Sequence, residues 1–377
     1  MTVVIQRHVI SNQTIVAGRL DRKAVTMLYN AISDLEIRTQ QRRDLIGRVA
    51  HSAARTMIKK LILPLRDPAI RKVVHGVELF LPLSHDLPRY VAQYPYYDTV
   101  LPNLAKFLLV DERSHRKLFF VDVGANVGDT TRLVSAMIGR ENVTFICIEA
   151  DEIYLPLLWR NTEGLSVALH NVIAASRTED LNAEFVRDYR GTSSIVNGSE
   201  RRRAIALDDL IAGEATDIIK IDTDGYEAEV LHGLRRTLED ADPLLFLEYS
   251  PRHLIRFGKI EPKILLEMLR AQGYGYGLIY DYRGYPMGFT EFTDQAIRNL
   301  ITYCLSVPGF YVDLLLAKEK DLLLRYYEWD LSRYLGCPMI RRFSQPASGS
   351  GLYEPTQRHQ TTPSQIRPHR ILATALS

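Results

Sequence analysis

The stretch FFVDVGANVGDTT, residues 119–131, places Asp122, Gly124, Asn126 and Gly128 in one turn between a buried apolar run and a helix-like run. Glycine there lets the main chain adopt conformations closed to other residues and approach a ligand, while the following helix offers its free N–H groups. The spacing is not the G-x-G-x-x-G of dinucleotide loops, and a carboxylate beside the turn repels phosphate but accepts hydrogen bonds from an ammonium group. A smaller, partly cationic ligand is therefore expected. Glu149 follows about 20 residues after Gly128, the interval at which an acid meets ribose hydroxyls in nucleotide-binding α/β folds. Taken alone, such an acid is more often a cap or a solvated charge; the glycine loop at the right distance favours the ribose role. Ala174 and Ala175 in NVIAAS are small enough for an adenine to lie against the backbone, with simple close packing the alternative, and Ala150 directly after Glu149 is a further cofactor-binding candidate.

A second group follows in DIIKIDTDGYEAEVLHGL and LLFLEYS. Asp222 and Asp224 end one apolar run and Glu248 ends the next, so three carboxylates are expected at one rim, with Glu227 in the first turn of the following helix. Asp222 suits a polar anchor or general base and Asp224 a helper, while Glu248 would bind hydroxyls or raise its neighbour's pKa by like-charge repulsion. His253 is a weaker second base and His232 a surface or packing residue. Asp222 and Asp224 also read as the D-x-D of a metal-dependent glycosyltransferase, in which two carboxylates hold a divalent ion against a sugar-nucleotide diphosphate. The glycine loop with its own acid is unsuited to a diphosphate and no other metal cluster is clear, so no metal centre is expected. A third reading is a non-catalytic nucleotide-binding module.

These residues need a scaffold. Apolar runs of strand length at 118–123, 143–149, 166–173, 217–222, 244–248, 274–280 and 310–317 alternate with helix-length periodic segments, the pattern of a doubly wound, mostly parallel sheet. Ligands bind such sheets at the carboxyl ends of the strands, where the order reverses. A hairpin excursion with a short helix is expected after the third strand, carrying Thr192, Ser193 and Ser194 in GTSSI. Ahead of the sheet, 21–65 reads as two or three helices and VHGVELFLPL as a strand pair. The expected domains are a helical extension over 1–73, the sheet domain over 74–320, a helix over 321–343 and a disordered tail over 344–377, rich in Ser, Pro, Gln and Gly.

Composition narrows the class. With 46% hydrophobic and 24% charged residues and a net charge of +2, the chain reads as soluble and globular. Cys147, Cys304 and Cys337 show no zinc or disulfide spacing, which fits a reducing compartment. No secretory signal and no apolar run of about 18 residues is present. A cytoplasmic protein is expected. Basic runs near the N-terminus and at Arg201, Arg202, Arg203, Arg341 and Arg342 read as solvated faces, with no nucleic-acid partner expected. Membrane-surface contact and homodimerisation through the N-terminal helices both stay open.

Together FFVDVGANVGDTT, CIEADEIYLPLLWRNTE, HNVIAAS, RGTSSI, LDDL, DIIKIDTDGYEAEVLHGL and LLFLEYS resemble the FkbM family of S-adenosylmethionine-dependent methyltransferases, over roughly residues 74–318, the strength lying in motif order. The resemblance implies a class I methyltransferase Rossmann-like fold: a seven-stranded sheet with helices on both faces and its last strand antiparallel. It also implies S-adenosyl-L-methionine as donor and O-methylation, frequently of sugars in glycans, glycolipids or secondary metabolites. By that resemblance Asp122, Gly124 and Gly128 match the methionine-binding loop and Glu149 the ribose acid. Ala150 stands where the family often has Pro, and Asp224 where it commonly has Glu, one methylene longer. The acceptor, a small molecule or glycan, is not named by any motif; Tyr280, Tyr282, Tyr285 and Phe289 are candidates to stack on a sugar face.

Overall fold

A computed structural model describes residues 24, 27–32, 35, 44–58, 67–111, 116–188, 191–211 and 214–335. The expected tail, Cys337, Arg341, Arg342 and much of the N-terminal helical segment lie outside the described residues.

Thirteen strands are present among the described residues. A hairpin of β1 (Ala69–Val74) and β2 (Val77–Pro82) stands apart. The main sheet contains β3 (Leu118–Val123), β4 (Val143–Ile148), β5 (Val167–His170), β9 (Ile218–Ile221), β10 (Leu244–Tyr249), β11 (Tyr276–Asp281), β12 (Pro286–Glu291) and β13 (Val312–Ala317). A third sheet is built from β6 (Ile173–Ala174), β7 (Glu179–Asp188) and β8 (Thr192–Ile205).

The main sheet runs β12-β11-β13-β10-β9-β3-β4-β5. Strands β10, β9, β3, β4 and β5 pair in parallel, whereas β13 is antiparallel to both β10 and β11. This is the mostly parallel class I arrangement with its last strand inserted antiparallel. The central strands, LFFVDV, VTFICI, IIKI and LLFLEY, are nearly continuous apolar runs because both faces are covered. One core cluster gathers Val121, Ile219 and Leu247; another gathers Phe120, Phe145 and Leu315.

The sheet has eight strands where seven were expected. The extra one, β12, pairs antiparallel with β11 at the edge, and its sequence PMGFTE carries a Pro and a Gly that erase an apolar strand signal. The expected third strand over 166–173 is divided: β5 stays in the main sheet, and β6 leaves it to pair with β8. The expected start of the sheet domain at Val74 falls at the end of β1, inside the hairpin. The helix expected over 321–343 runs Lys320–Leu335, and its Leu323 and Tyr326 belong to the core.

Candidate active site at the carboxyl rim of the sheet

The order reverses between β9 and β3, and the loops leaving these strands touch there. Gly124 turns the chain with φ +78°, and a Cβ on it would fall 1.8 Å from the carbonyl oxygen of Asp222. Main chain lies against main chain, so only glycine fits. The N–H groups of Gly124 and Ala125 donate to the Ile148 carbonyl at 2.9 and 3.0 Å, fixing the loop to the end of β4.

Glu149 holds the next turn. Its Oε2 accepts from the Asn126 N–H and its Oε1 from the Asp151 N–H, both at 2.7 Å. The residue is buried; burial pushes its carboxyl up to about 7, against the downward pull of the two N–H groups. Asp151 in turn receives Arg187 Nε at 2.6 Å, Arg187 Nη2 at 2.8 Å and the Ser193 hydroxyl at 2.8 Å. That cluster latches the β7–β8 hairpin over the loop.

A cavity opens between these parts. It is lined by the expected Gly124, Asn126, Glu149, Ala150 and Ala174, by Asp222 and Asp224, and by Thr192 and Ser193 of the hairpin. Phe185 and Tyr226 also line it; Phe185 has no motif around it, and Tyr226, inside DIIKIDTDGYEAEVLHGL, was overshadowed by the acids beside it.

Two expected loop contacts are displaced. Asp122 is fully buried and does not line the cavity: its carboxylate accepts from the Thr131 hydroxyl at 3.0 Å and lies 3.3 Å from Lys220 Nζ. It shapes the loop from behind. Gly128, at φ +80°, is needed for packing, since a Cβ there would stand 2.7 Å from Leu158 Cδ1.

Lys220 is the main residue missed. It sits two positions before Asp222 on β9, so both project to one face. Its ammonium, buried, lies 3.3 Å from both Asp122 and Asp222 and donates to the Gly124 carbonyl at 3.1 Å. Burial alone would lower its pKa, but Asp122, Asp222 and Asp129 outweigh that and raise it. The signal was available: one lysine inside the apolar run IIKI must be either exposed or paired.

A second, smaller pocket adjoins the first and shares Asp222. Lys220, Glu248, Asp98, Asp313, Tyr97 and Tyr311 line it. Burial raises the carboxyl pKa values of Glu248, Asp98 and Asp313, and the neighbouring acids add to this. Glu248 and Asp313 are register partners across β10 and β13. Asp224, with φ +52°, lies 3.2 Å from His253 Nδ1, which is 3.9 Å from Glu248. Burial tends to lower the His253 pKa, and Asp224 reverses that into a rise. The turn is held by Glu227, whose Oε1 accepts from the N–H groups of Thr223 at 3.2 Å and Gly225 at 3.0 Å.

Elsewhere the expectations divide. His232 is exposed, as expected. Tyr280 is fully buried with its hydroxyl donating to Asp330, so it cannot stack on a sugar; Tyr282 packs on Phe310 and Tyr311, Tyr285 on Tyr96, and Phe289 on Tyr276. Arg201 and Arg203 pair with Asp180, and Arg202 pairs with Glu152 and Glu200. A cavity of about 610 Å³ includes Asp217 and Leu244 at the amino ends of β9 and β10, away from this rim.

Glu149 and Glu227, both buried, have carboxyls pushed up to about 7 chiefly by burial. The folded state therefore binds their protons more tightly than the unfolded chain does. Stability is expected to fall as pH rises from about 5 through 7, by roughly 3 kcal/mol for each group at full effect. Urea denaturation across that range measures it, and a stability that climbs with pH would contradict it.

The topology, the glycine turn and the strand-end acids are those of a Rossmann-type methyltransferase fold. Residues 122–276 match the methyltransferase FkbM domain. No curated protein matches the chain. Among solved structures it is similar to the methyltransferase FkbM of Methylobacillus flagellatus, at 17% identity and a TM-score of 0.31, covering 67% of this chain and 54% of that one. A putative O-methyltransferase from Klebsiella pneumoniae shows 14% identity and a TM-score of 0.34, over 62% of this chain and 89% of that one. The precorrin-6y C5,15-methyltransferase of Geobacter metallireducens shows 14% identity and a TM-score of 0.33, over 58% and 86%.

The family's donor is S-adenosyl-L-methionine, and the cavity fits it. Its charged lining, Glu149, Asp222 and Asp224, is acidic, which suits a sulfonium, an ammonium and a ribose diol and opposes a phosphate. Glu149 would hold the ribose hydroxyls, the Gly124 turn the amino-acid end, and the small Ala150 and Ala174 the adenine.

Proposed function

We propose that the chain transfers the donor methyl group to a hydroxyl of a sugar or other polyol. The observation that carries this is Asp222, the one carboxylate shared by the donor cavity and the adjoining pocket of acids and tyrosines. When bound, the donor supplies an electrophilic methyl on a sulfonium. The residues then have two tasks, positioning and proton removal. Carboxylates at Asp98, Glu248 and Asp313 accept hydrogen bonds from acceptor hydroxyls, and Tyr97 and Tyr311 offer ring faces. Asp222, its proton affinity raised by burial and tempered by Lys220, takes the hydroxyl proton. Asp224, on its turn, assists from the donor side. A glycan or small molecule of this chemistry is the proposed acceptor. The N-terminal helix Leu45–Met57 leaves Ile46 and Val49 exposed, the surface on which membrane docking or homodimerisation is proposed.

Calorimetry with S-adenosylmethionine, S-adenosylhomocysteine and sugar nucleotides, with and without divalent metal, tests the donor. Micromolar binding of the adenosyl ligands without metal is expected. Glu149→Ala should weaken it about 10- to 100-fold, the loss of hydrogen bonds to a charged acceptor. Metal-dependent binding of a sugar nucleotide alone would favour the glycosyltransferase reading. A methyl-transfer screen against hydroxylated glycans, with amines and thiols alongside, tests the acceptor; activity confined to amines or thiols would overturn it.

A further inference from the structure

We propose that Asp224, Glu248 and His253 form a binding site for a divalent cation of the Mn2+ type, between the donor cavity and the adjoining pocket. One carboxylate oxygen from each acid and one ring nitrogen of His253 lie within 4.8 Å of one another. The contribution of His253 is unusual. Its Nδ1 is shielded from solvent and makes no hydrogen bond, although Asp224 Oδ1 stands 3.2 Å away and Glu248 Oε1 3.9 Å. A proton held between these groups would normally be aligned on one oxygen; a nitrogen facing two carboxylates without such alignment has the disposition of a ligand set. The charges agree. Two carboxylates converge here, their side chains only 14% and 15% exposed, and the nearby ammonium of Lys220 is engaged with Asp122 and Asp222.

The donor atoms select the ion. Calcium takes six to eight oxygens and magnesium prefers oxygen with several waters, whereas one imidazole with two carboxylates suits Mn2+, leaving positions open for other oxygens. Those positions lie beside Asp222, because Asp224 lines the donor cavity and Glu248 the second pocket. The cation would fix an acceptor hydroxyl and ease its deprotonation, a role that rests on the methyl-transfer reading. In that step the hydroxyl oxygen bonds to the methyl carbon, the carbon–sulfur bond breaks with its pair kept by sulfur, and the proton passes to Asp222.

The test is Mn2+ titration of the EDTA-treated full chain followed by electron paramagnetic resonance. One Mn2+ per chain with a micromolar Kd is expected, with nitrogen hyperfine coupling from the imidazole in the unmutated protein. His253→Ala and Glu248→Gln should each weaken Mn2+ by about 10-fold or more, while S-adenosylhomocysteine affinity stays within about threefold, reporting an intact fold. No Mn2+ held at about 1 mM, no nitrogen coupling, or affinity unchanged in both variants would overturn the site. Mn2+ binding retained with no S-adenosylhomocysteine binding would instead overturn the methyl-transfer reading and leave the site standing.

Discussion

Lys220→Met should cost about 3–5 kcal/mol of folding stability, the penalty for breaking a buried ion pair from one side. The ammonium faces Asp122, which has no solvent exposure, and Asp222 at the rim, and it also binds the Gly124 carbonyl. Methionine matches the stem but leaves Asp122 with only the Thr131 hydroxyl. The loop that holds the donor then loses its support from beneath, so S-adenosylhomocysteine binding should fall as well. Adding Asp122→Asn should recover part of the stability, because the stranded charge is removed with its partner. Urea denaturation of both single variants and the double variant measures the coupling. A single Lys220→Met variant as stable as the parent would show that the ion cluster contributes nothing.

Asp222→Asn should lower kcat by about 10²- to 10⁴-fold, the range for a positioned general base. The change keeps size and the main-chain contact with Gly124, so donor affinity should move by less than about tenfold. That contrast separates proton removal from donor binding. If kcat holds while the Kd of S-adenosylhomocysteine rises, Asp222 is a donor ligand and the base lies elsewhere, with His253 the next group to replace.

Much of this was legible in the sequence for a simple reason. A strand covered on both faces reads as an unbroken apolar run, so Leu118–Val123 and its parallel neighbours could be placed within a residue or two. Part of the first cavity's lining was equally readable, because Gly124 and Glu149 follow one another along a single βαβ unit. The lining of the second pocket was not. Asp98 comes from a turn before the helix Val100–Val110, and Asp313 from the start of an antiparallel strand; no spacing links them to Asp222. Pairings across space were invisible for the same reason: Asp122 looked like a ligand until Lys220 was found beneath it, and Gly128 until Leu158 was found against it.

The reversal of strand order between β9 and β3 also divides the labour of the chain. The lining of the first cavity comes from residues 123–195 and 222–226, and most of the second pocket's from residues 97–101 and 246–313, with β9 as the seam. Because β13 runs backwards, the loop preceding it opens onto the rim, so Tyr311 and Asp313 meet the second pocket there. Such a layout is modular. Under the proposed methyl transfer, substitutions at Gly284 and Tyr311 should reshape the second pocket without altering the residues that line the first.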